Sequence, residues 1–330
     1  MEHVQELYFV PLRKTQSIAM PKQTISIKSI NVSSAKDSVK RPLQTATISA
    51  LGLQGDAHAG TWHRQVSIAN IHRLKDIKGK PILPGELGEN LTIEGVDFNQ
   101  VSIFDRFISD DVVLEVTEIG SERPGSEEED EEGLIYCRVL RPGKIQQGQT
   151  LIHQPKIFRI QIVRLSDEAL VGEDSDESGQ QIIHLCEFYF ANRFNHFQVR
   201  RTIIPDNASD LKRIIETVVE DDVDILITSG GIGIGKKAIT PGVIKPQFTW
   251  EIPGLMEKVR NKCGQKIPRA YLYNSLAGVI NETLVFALPA NKDAVKDYME
   301  EILKVIDDLI YMLHGIDNYE LNDCSYNEQH

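Results

Sequence analysis

From Ile25 to His153 the apolar residues come in short runs separated by Gly, Pro and Asp: ISIKSINV, TATISALGL, QVSIANI, NLTIEGV, VVLEVTEIG and YCRVL. Runs of this length, with turn residues at this spacing, predict a β-barrel or sandwich. The rhythm changes after HQPK. IFRIQIVRL reads as a strand, GQQIIHLCEFYFANRF has helical period, and QVRRTIIP is a strand again. NASDLKRIIETVVE predicts a helix capped by Asn207, and VDILITSGG a buried strand running into a glycine turn. ETLVFALP is a further strand. DAVKDYMEEILKVIDDLIYML predicts one long amphipathic helix with Val295, Met299, Ile302, Val305 and Leu309 on or near one face. Strands alternating with helices imply a mostly parallel α/β sheet covered on both sides. The division is therefore an N-terminal arm (1–25), a β-barrel domain (26–154), an α/β domain (155–318) and a C-terminal tail (319–330).

Composition agrees with two ordinary cores: 330 residues, 41% hydrophobic and 25% charged. A net charge of -12 argues against non-specific binding to nucleic acid or to an anionic membrane. The four cysteines, Cys137, Cys186, Cys263 and Cys324, form no CxxC pair, so neither a disulfide framework nor a structural zinc site is encoded, and a reducing cytoplasm fits best. No apolar run suits a signal peptide or a membrane span. The N-terminal segment reads as a frayed arm or a weak organellar leader, with Arg13 and Lys14 its only basic residues before Lys22. The acidic stretch GSEEEDEEG cannot pack against itself and reads as a solvated loop, an acidic metal sponge being the alternative.

The chemistry concentrates in two places. In open α/β sheets ligands sit beyond the carboxyl ends of strands, where glycines let backbone N–H groups approach an anion. ITSGGIGIGKKAITPG is such a strand-to-glycine junction, suited to a phosphate or a pterin edge, although a tight turn alone also needs glycines. With EIPGLMEKVR and RAYLYNSLAGVINETLVFALPANKDAVKDYMEEIL, it closely resembles the molybdopterin-binding family that includes the molybdopterin adenylyltransferases, across about residues 157 to 315. The resemblance implies a three-layer α/β fold, commonly trimeric, that binds molybdopterin and, in the enzymes, moves AMP from Mg-ATP onto its terminal phosphate. Carried over by position, Ser229, Gly230, Gly231 and Gly233 would form the cofactor loop. Glu251, Pro253 and Gly254 would form a second wall, and Leu288, Pro289 and Ala290 a phosphate-facing turn. Asp206 falls where the enzymes have one of two functional aspartates; the other is replaced by Ala238. The family's residues at Ile232, Tyr273, Asn274 and Ala290 also differ. Lys236 and Lys237 remain available to neutralise a phosphate. The loop thus reads as retained for binding, with catalysis in doubt.

In the first half, GLQGDAHAGTWHRQVSI packs Asp56, His58, His63 and Arg64 together. Two histidines and an aspartate could hold a metal, but no fourth ligand sits at useful spacing; Arg64 with His58 better suits an anion. With LPGELGENLTIEGVDF and VVLEVTEIG, the stretch resembles the MOSC domain, the β-barrel module named after the C-terminal region of molybdenum-cofactor sulfurase, over about residues 26 to 152. That implies a molybdenum-cofactor pocket lined by Gly55, Asp56, His58, His63, Arg64, Glu89 and Asn90, with Glu89 orienting Arg64. Where MOSC proteins usually carry a cysteine, this chain has SERPGSEEEDEEG, and Cys137 in LIYCRVL reads as a buried structural thiol.

Two unrelated folds that each resemble a molybdenum-cofactor handler imply a cytoplasmic protein that binds molybdopterin or molybdenum cofactor for biosynthesis, carriage or maturation. Molybdoenzymes or other cofactor-synthesis proteins would be its partners, and a trimer its assembly by resemblance. The rivals are an adenylyltransferase using Asp206, with Asp174, Asp176 or Glu177 replacing the missing acid, and a structural protein with empty sites.

Overall fold

The computed structural model describes residues 23–36, 38–72, 82–120, 133–172 and 176–316. The expected arm (to residue 22), the acidic loop, Asp174 and the C-terminal tail lie outside them. Contacts divide the chain into two units: one runs to Lys156 and includes Phe194–His196, the other comprises Ile157–Arg193 and the chain from Phe197.

The first unit holds β1 (Gln23–Val32), β2 (Arg41–Leu43), β3 (Thr45–Ser49), β4 (Gly52–Leu53), β5 (Val66–Asn70), β6 (Leu91–Glu94), β7 (Arg106–Ile108), β8 (Val113–Ile119), β9 (Leu134–Arg141), β10 (Gly143–Gln146) and β11 (Thr150–Gln154). Seven strands run in the order β11-β7-β8-β9-β5-β6-β1, and β1 pairs again with β11 through Gln23↔His153 to Ser26↔Thr150, which closes a barrel. Only β5 and β6 pair in parallel within it. The period-2 alternation of ISIKSINV sends Ile25 and Ile27 into the core; a register shift after Ile27 lets Ile30 follow them inward. They meet Ile68, Leu91, Ile93, Leu114, Val116, Ile135 and Cys137. Burial pushes the Cys137 thiol well above its usual range, so it is a core residue and not a nucleophile.

The second unit runs β12 (Phe158–Leu165), α1 (Asp167–Leu170), α2 (Glu177–Ala191), β13 (Phe197–Ile204), α3 (Ala208–Glu220), β14 (Ile225–Ser229), α4 (Thr240–Ile244), β15 (Trp250–Glu251), α5 (Pro253–Lys266), β16 (Leu276–Ile280), β17 (Thr283–Leu288), α6 (Lys292–Ile302) and α7 (Ile306–Leu313). Its sheet has the order β13-β12-β14-β17-β16-β15. The first four strands are parallel, but β16 is antiparallel to β17 and β15 to β16, so the sheet is mixed and only in part the parallel one expected. LAGVI does not announce itself as a strand, because two small residues hide the hairpin partner of ETLVFALP. Alternation separates the faces. Val163, Leu165, Leu226, Val285 and Ala287 pack with Leu211, Ile215 and Val218 of α3. On the other face Phe158 stacks against Phe190 of α2, 6.2 Å between ring centres, and α6 lies beside α2 and α5. Three layers result.

Asn207 caps α3, its Oδ1 accepting the Asp210 N–H at 2.8 Å. The single long C-terminal helix does not form. The chain breaks between Ile302 and Ile306, and the break resets the helical phase, so Ile306 and Ile310 are buried in place of Val305 and Leu309. Glu301, buried at the end of α6, is held by Lys262 and Lys304 at 2.5 Å each, which keeps its carboxyl down at about 2. Glu301→Gln is expected to cost about 1–2 kcal/mol near neutral pH. Because the folded-state value is depressed, the loss should shrink as pH falls from about 4.5 toward 2, which urea titrations at several pH values would read.

Candidate functional site

After β12 the chain crosses through α2 to β13 on one side, then through α3 to β14 on the other. Such a reversal opens a crevice at the carboxyl ends of the strands. A cavity of about 310 Å³ lies there. Arg164, Leu165, Ser166 and Glu168 come from the end of β12 and the start of α1, and Asp206 follows β13. Gly230, Gly231, Gly233, Ile234, Gly235, Lys237 and Ala238 follow β14, and Ala290 follows β17. All four parallel strands contribute.

The glycines divide by role. Gly230 has φ +115°, and a Cβ there would sit 2.6 Å from the Leu165 carbonyl oxygen; Gly231, at φ +66°, would run into Thr240 Oγ1. These two shape the turn, which is fastened by Gly230 N–H donating to the Leu288 carbonyl at 3.0 Å and by Thr240 Oγ1 donating to the Gly230 carbonyl at 2.9 Å. A Cβ at Gly233 would meet nothing within 4 Å, so its lack of a side chain serves open space.

Charge gathers at one rim. Lys237 Nζ lies 3.2 Å from Glu168, 3.7 Å from Asp167 and 3.8 Å from Asp206. Burial raises the Asp206 carboxyl above its ordinary range, with the neighbouring Asp167 charge adding to the effect and Lys237 opposing it. A raised folded-state value means that ionised Asp206 destabilises the fold at neutral pH. Asp206→Asn is therefore expected to raise the melting temperature by roughly 1–3 °C at pH 7. The gain should vanish below pH 3.8, the ordinary aspartate value, where the carboxyl is protonated in both states. Among the described residues no group of three His, Cys, Asp or Glu side chains is arranged to hold a metal ion.

Several expected residues stand elsewhere. Ser229 is fully buried, its hydroxyl donating to the Pro289 carbonyl and hydrogen-bonded to Ser178 Oγ, so Ser229 and Pro289 brace the wall from behind while Ala290 faces the cavity. Lys236 is exposed outside the lining, and Lys237 occupies the position foreseen for it. Glu251 pairs with Lys245 at 2.9 Å on the sheet's last strand; Pro253 and Gly254 open α5, and none of the three lines the cavity. Of the acids considered as substitutes, Asp176 caps α2 and pairs with Arg201 at 2.9 Å, and Glu177 pairs with Lys292 at 3.5 Å. The acid that shares Lys237 with Asp206 at the cavity is Glu168, in SDEAL, at the head of a block that resembles the family but in which sequence reasoning names no site residue before Asp174.

In the barrel, Asp56 and Lys40 form a buried pair at 3.1 Å. Asp56 also accepts the His58 and Ser33 N–H groups, and His58 Nδ1 stands 3.5 Å away. Glu89 does not orient Arg64: its Oε1 accepts from Gly85 N–H and Thr92 Oγ1 at 2.7 Å, while Arg64 Nε donates to Glu118 at 2.6 Å and its guanidinium lies over Tyr136. Asn90 is buried, binding Ser67 and the Asn31 carbonyl. Glu89 and Asn90 thus belong to a polar network inside the barrel. The His63 carbonyl accepts from Thr117 Oγ1 at 2.8 Å, and Gly55 takes a turn at φ +87°. A second cavity, of about 480 Å³, is lined by Asn70, His72 and residues 94–99, and none of the expected barrel residues reaches it. Its acids, Glu94 and Asp97, make it a poor host for an anion.

Residues 161–308 match the family described as "Probable molybdopterin binding domain". Molybdenum cofactor biosynthesis protein B of Staphylococcus aureus (strain MRSA252) is 30% identical over 145 residues, 43% of this chain and 83% of that protein. The molybdenum cofactor biosynthesis bifunctional protein of Chlorobaculum tepidum is 31% identical over 114 residues, 34% of this chain and 36% of its own length. Among solved structures, the tungsten cofactor synthesizing protein MoaB from Pyrococcus furiosus is 27% identical, covering 48% of this chain and 98% of that one with a TM-score of 0.43. The barrel lies outside the matched residues.

Proposed function

Because the chain belongs to the molybdopterin-binding domain family, we propose that it binds molybdopterin in the cavity beneath the glycine loop and serves molybdenum-cofactor biosynthesis, carriage or maturation. One observation carries the reading: the cavity collects the carboxyl ends of all four parallel strands, has glycine-opened backbone at its mouth, and lies within the family match. The pterin is substrate or cargo. Equilibrium dialysis of molybdopterin against the full chain should give one bound pterin per chain; no retained pterin would end the reading.

Ala238 favours carriage over adenylyl transfer. Nucleotidyl transfer works by positioning and by charge stabilisation through metal ions held by carboxylates, and this wall offers a methyl group where the enzymes have an acid. Adenylylation from Mg-ATP remains the second reading, favoured by Glu168 beside Asp206, both within 4 Å of Lys237. The Ala238→Asp variant separates them: adenylylated pterin from the variant and none from the parent chain marks Ala238 as the defect.

For the first unit we propose a MOSC-type domain with a cofactor surface around Asp56, His58, His63 and Arg64. The closed barrel and the buried Lys40–Asp56 pair under that loop support it. Sulfur transfer by Cys137 is not part of the proposal, since its thiol is buried and protonated. Residence in the cytoplasm and trimeric assembly complete the reading; no helix among the described residues is long and apolar enough to cross a membrane. Analytical ultracentrifugation tests the trimer.

A further inference from the structure

We propose that Lys237 is the cavity's resident cation: its ammonium neutralises the carboxylates of Asp167, Glu168 and Asp206, excludes a divalent metal ion from them, and makes ligand binding here independent of metal. The exclusion stands by itself; its consequence for the ligand rests on molybdopterin binding in that cavity.

Three carboxylates converge on one nitrogen. Asp167 Oδ1 accepts the Asp206 N–H at 3.0 Å, and Glu168 Oε2 accepts the Ser166 hydroxyl at 3.3 Å. The other oxygen of each turns to Lys237 Nζ, Asp167 Oδ2 at 3.7 Å and Glu168 Oε1 at 3.2 Å, and Asp206 Oδ2 joins them at 3.8 Å. Asp167 and Glu168 begin α1 just after β12, Asp206 follows β13, and Lys237 comes from the glycine loop after β14. One ammonium thus links the carboxyl ends of three neighbouring strands. Its hydrogen bond to Glu168 raises it above the usual lysine range, so the positive charge persists throughout neutral pH.

The magnesium ion that the family resemblance implies does not fit this donor set. Magnesium demands nearly octahedral oxygens at about 2.0–2.1 Å. Oxygens that stand 3.2 to 3.8 Å from one point would each have to close in by roughly 1 Å or more, and an ammonium already holds that point. An ion seated beside the ammonium would be repelled by it at close range. Among the described residues no three His, Cys, Asp or Glu side chains are arranged to hold a metal. The sequence supplies a separate mark: Ala238, which replaces the second acid of the resembling enzymes, directly follows Lys237 and also lines the cavity. A missing carboxylate and a seated ammonium, at adjacent positions, both weaken the pull on a divalent ion. Lys237 is 65% exposed, so replacing it leaves no packing void.

The first test uses Mn²⁺ alone as the probe on the full chain, followed by electron paramagnetic resonance. Ions at this site are those that Asp206→Asn removes, which sets aside ions held loosely by other acids. The parent chain should hold none. Lys237→Met should acquire one, bound at least about tenfold more tightly than any ion on the parent, and adding Asp206→Asn should abolish it. Lys237→Arg, which keeps the charge, should remain without the ion. The second test is anaerobic dialysis of molybdopterin in magnesium chloride or in EDTA. The parent's two affinities should agree within about twofold, whereas Lys237→Met should bind more weakly in EDTA and recover in magnesium. Mn²⁺ that Asp206→Asn removes from the parent would overturn the proposal, as would a Lys237→Met chain that gains no ion or a parent that loses its pterin in EDTA. A parent that retains no pterin in either buffer would end the pterin reading, while the Mn²⁺ titration would still decide the exclusion.

Discussion

Replacing Gly230 with alanine is expected to destabilise the second unit by about 3 kcal/mol and to weaken pterin binding by at least about a hundredfold. Two costs combine. At φ +115° an L side chain is strained whatever space surrounds it, and the new Cβ would press to 2.6 Å on the Leu165 carbonyl oxygen. Relief requires the turn to move, which breaks the Gly230 N–H bond to Leu288 and the bond from Thr240 Oγ1. Both bonds join the loop to neighbouring elements, so the cavity loses its shape together with its stability. Gly233→Ala supplies the contrast. Its φ is not in the left-handed region and nothing lies within 4 Å, so its stability should stay within about 0.5 kcal/mol of the parent. A selective loss of binding in Gly233→Ala, without a change in melting temperature, would show the loop's openness serving the ligand. Thermal melts and dialysis on the two variants read both effects.

Lys40→Met should be the most damaging single change in the barrel, costing about 3–5 kcal/mol, because it removes one partner of a buried ion pair and strands the other. The side chains of Lys40 and Asp56 are 2% and 1% exposed. Burial dominates at Lys40 and lowers its ammonium below the usual range. At Asp56 burial opposes ionisation, but Lys40 and the His58 and Ser33 N–H groups outweigh it and hold the carboxyl low. Asp56 therefore adds stability that is present above pH 3.8 and fades as pH falls through its lower folded-state value. Differential scanning calorimetry of Lys40→Met should show an earlier transition for the barrel. An unchanged thermogram would mean that the pair contributes nothing.

Much of this architecture is legible in the sequence because it rests on local rules. The period-2 runs of the barrel, the Asn207 cap and the strand-to-glycine junction each announce themselves within about ten residues. Long-range chemistry does not. Lys40 looks like any surface lysine in SVKRPLQ, and only the fold brings it against Asp56. Glu89 and Asn90 read as pocket lining because their motif suggests it, yet tertiary closure turns both inward to satisfy buried backbone and hydroxyl groups. The loop's serine reads as a ligand group, whereas Ser229 ends a fully buried strand and must commit its hydroxyl to neighbouring protein. Arg164 does leave a signal: a charged residue inside the otherwise apolar end of a strand, between Val163 and Leu165. The helix break after Ile302 leaves little, because LKVIDD continues the apolar period without proline or glycine.

The central claim is that the glycine-loop cavity holds molybdopterin without transforming it. The full chain incubated anaerobically with molybdopterin and Mg-ATP, separated from free ligand and analysed by mass spectrometry, tests that directly. Unmodified pterin should be retained at one per chain. Absence of pterin from the protein fraction would contradict binding, and adenylylated pterin would contradict carriage and make the chain an enzyme despite Ala238.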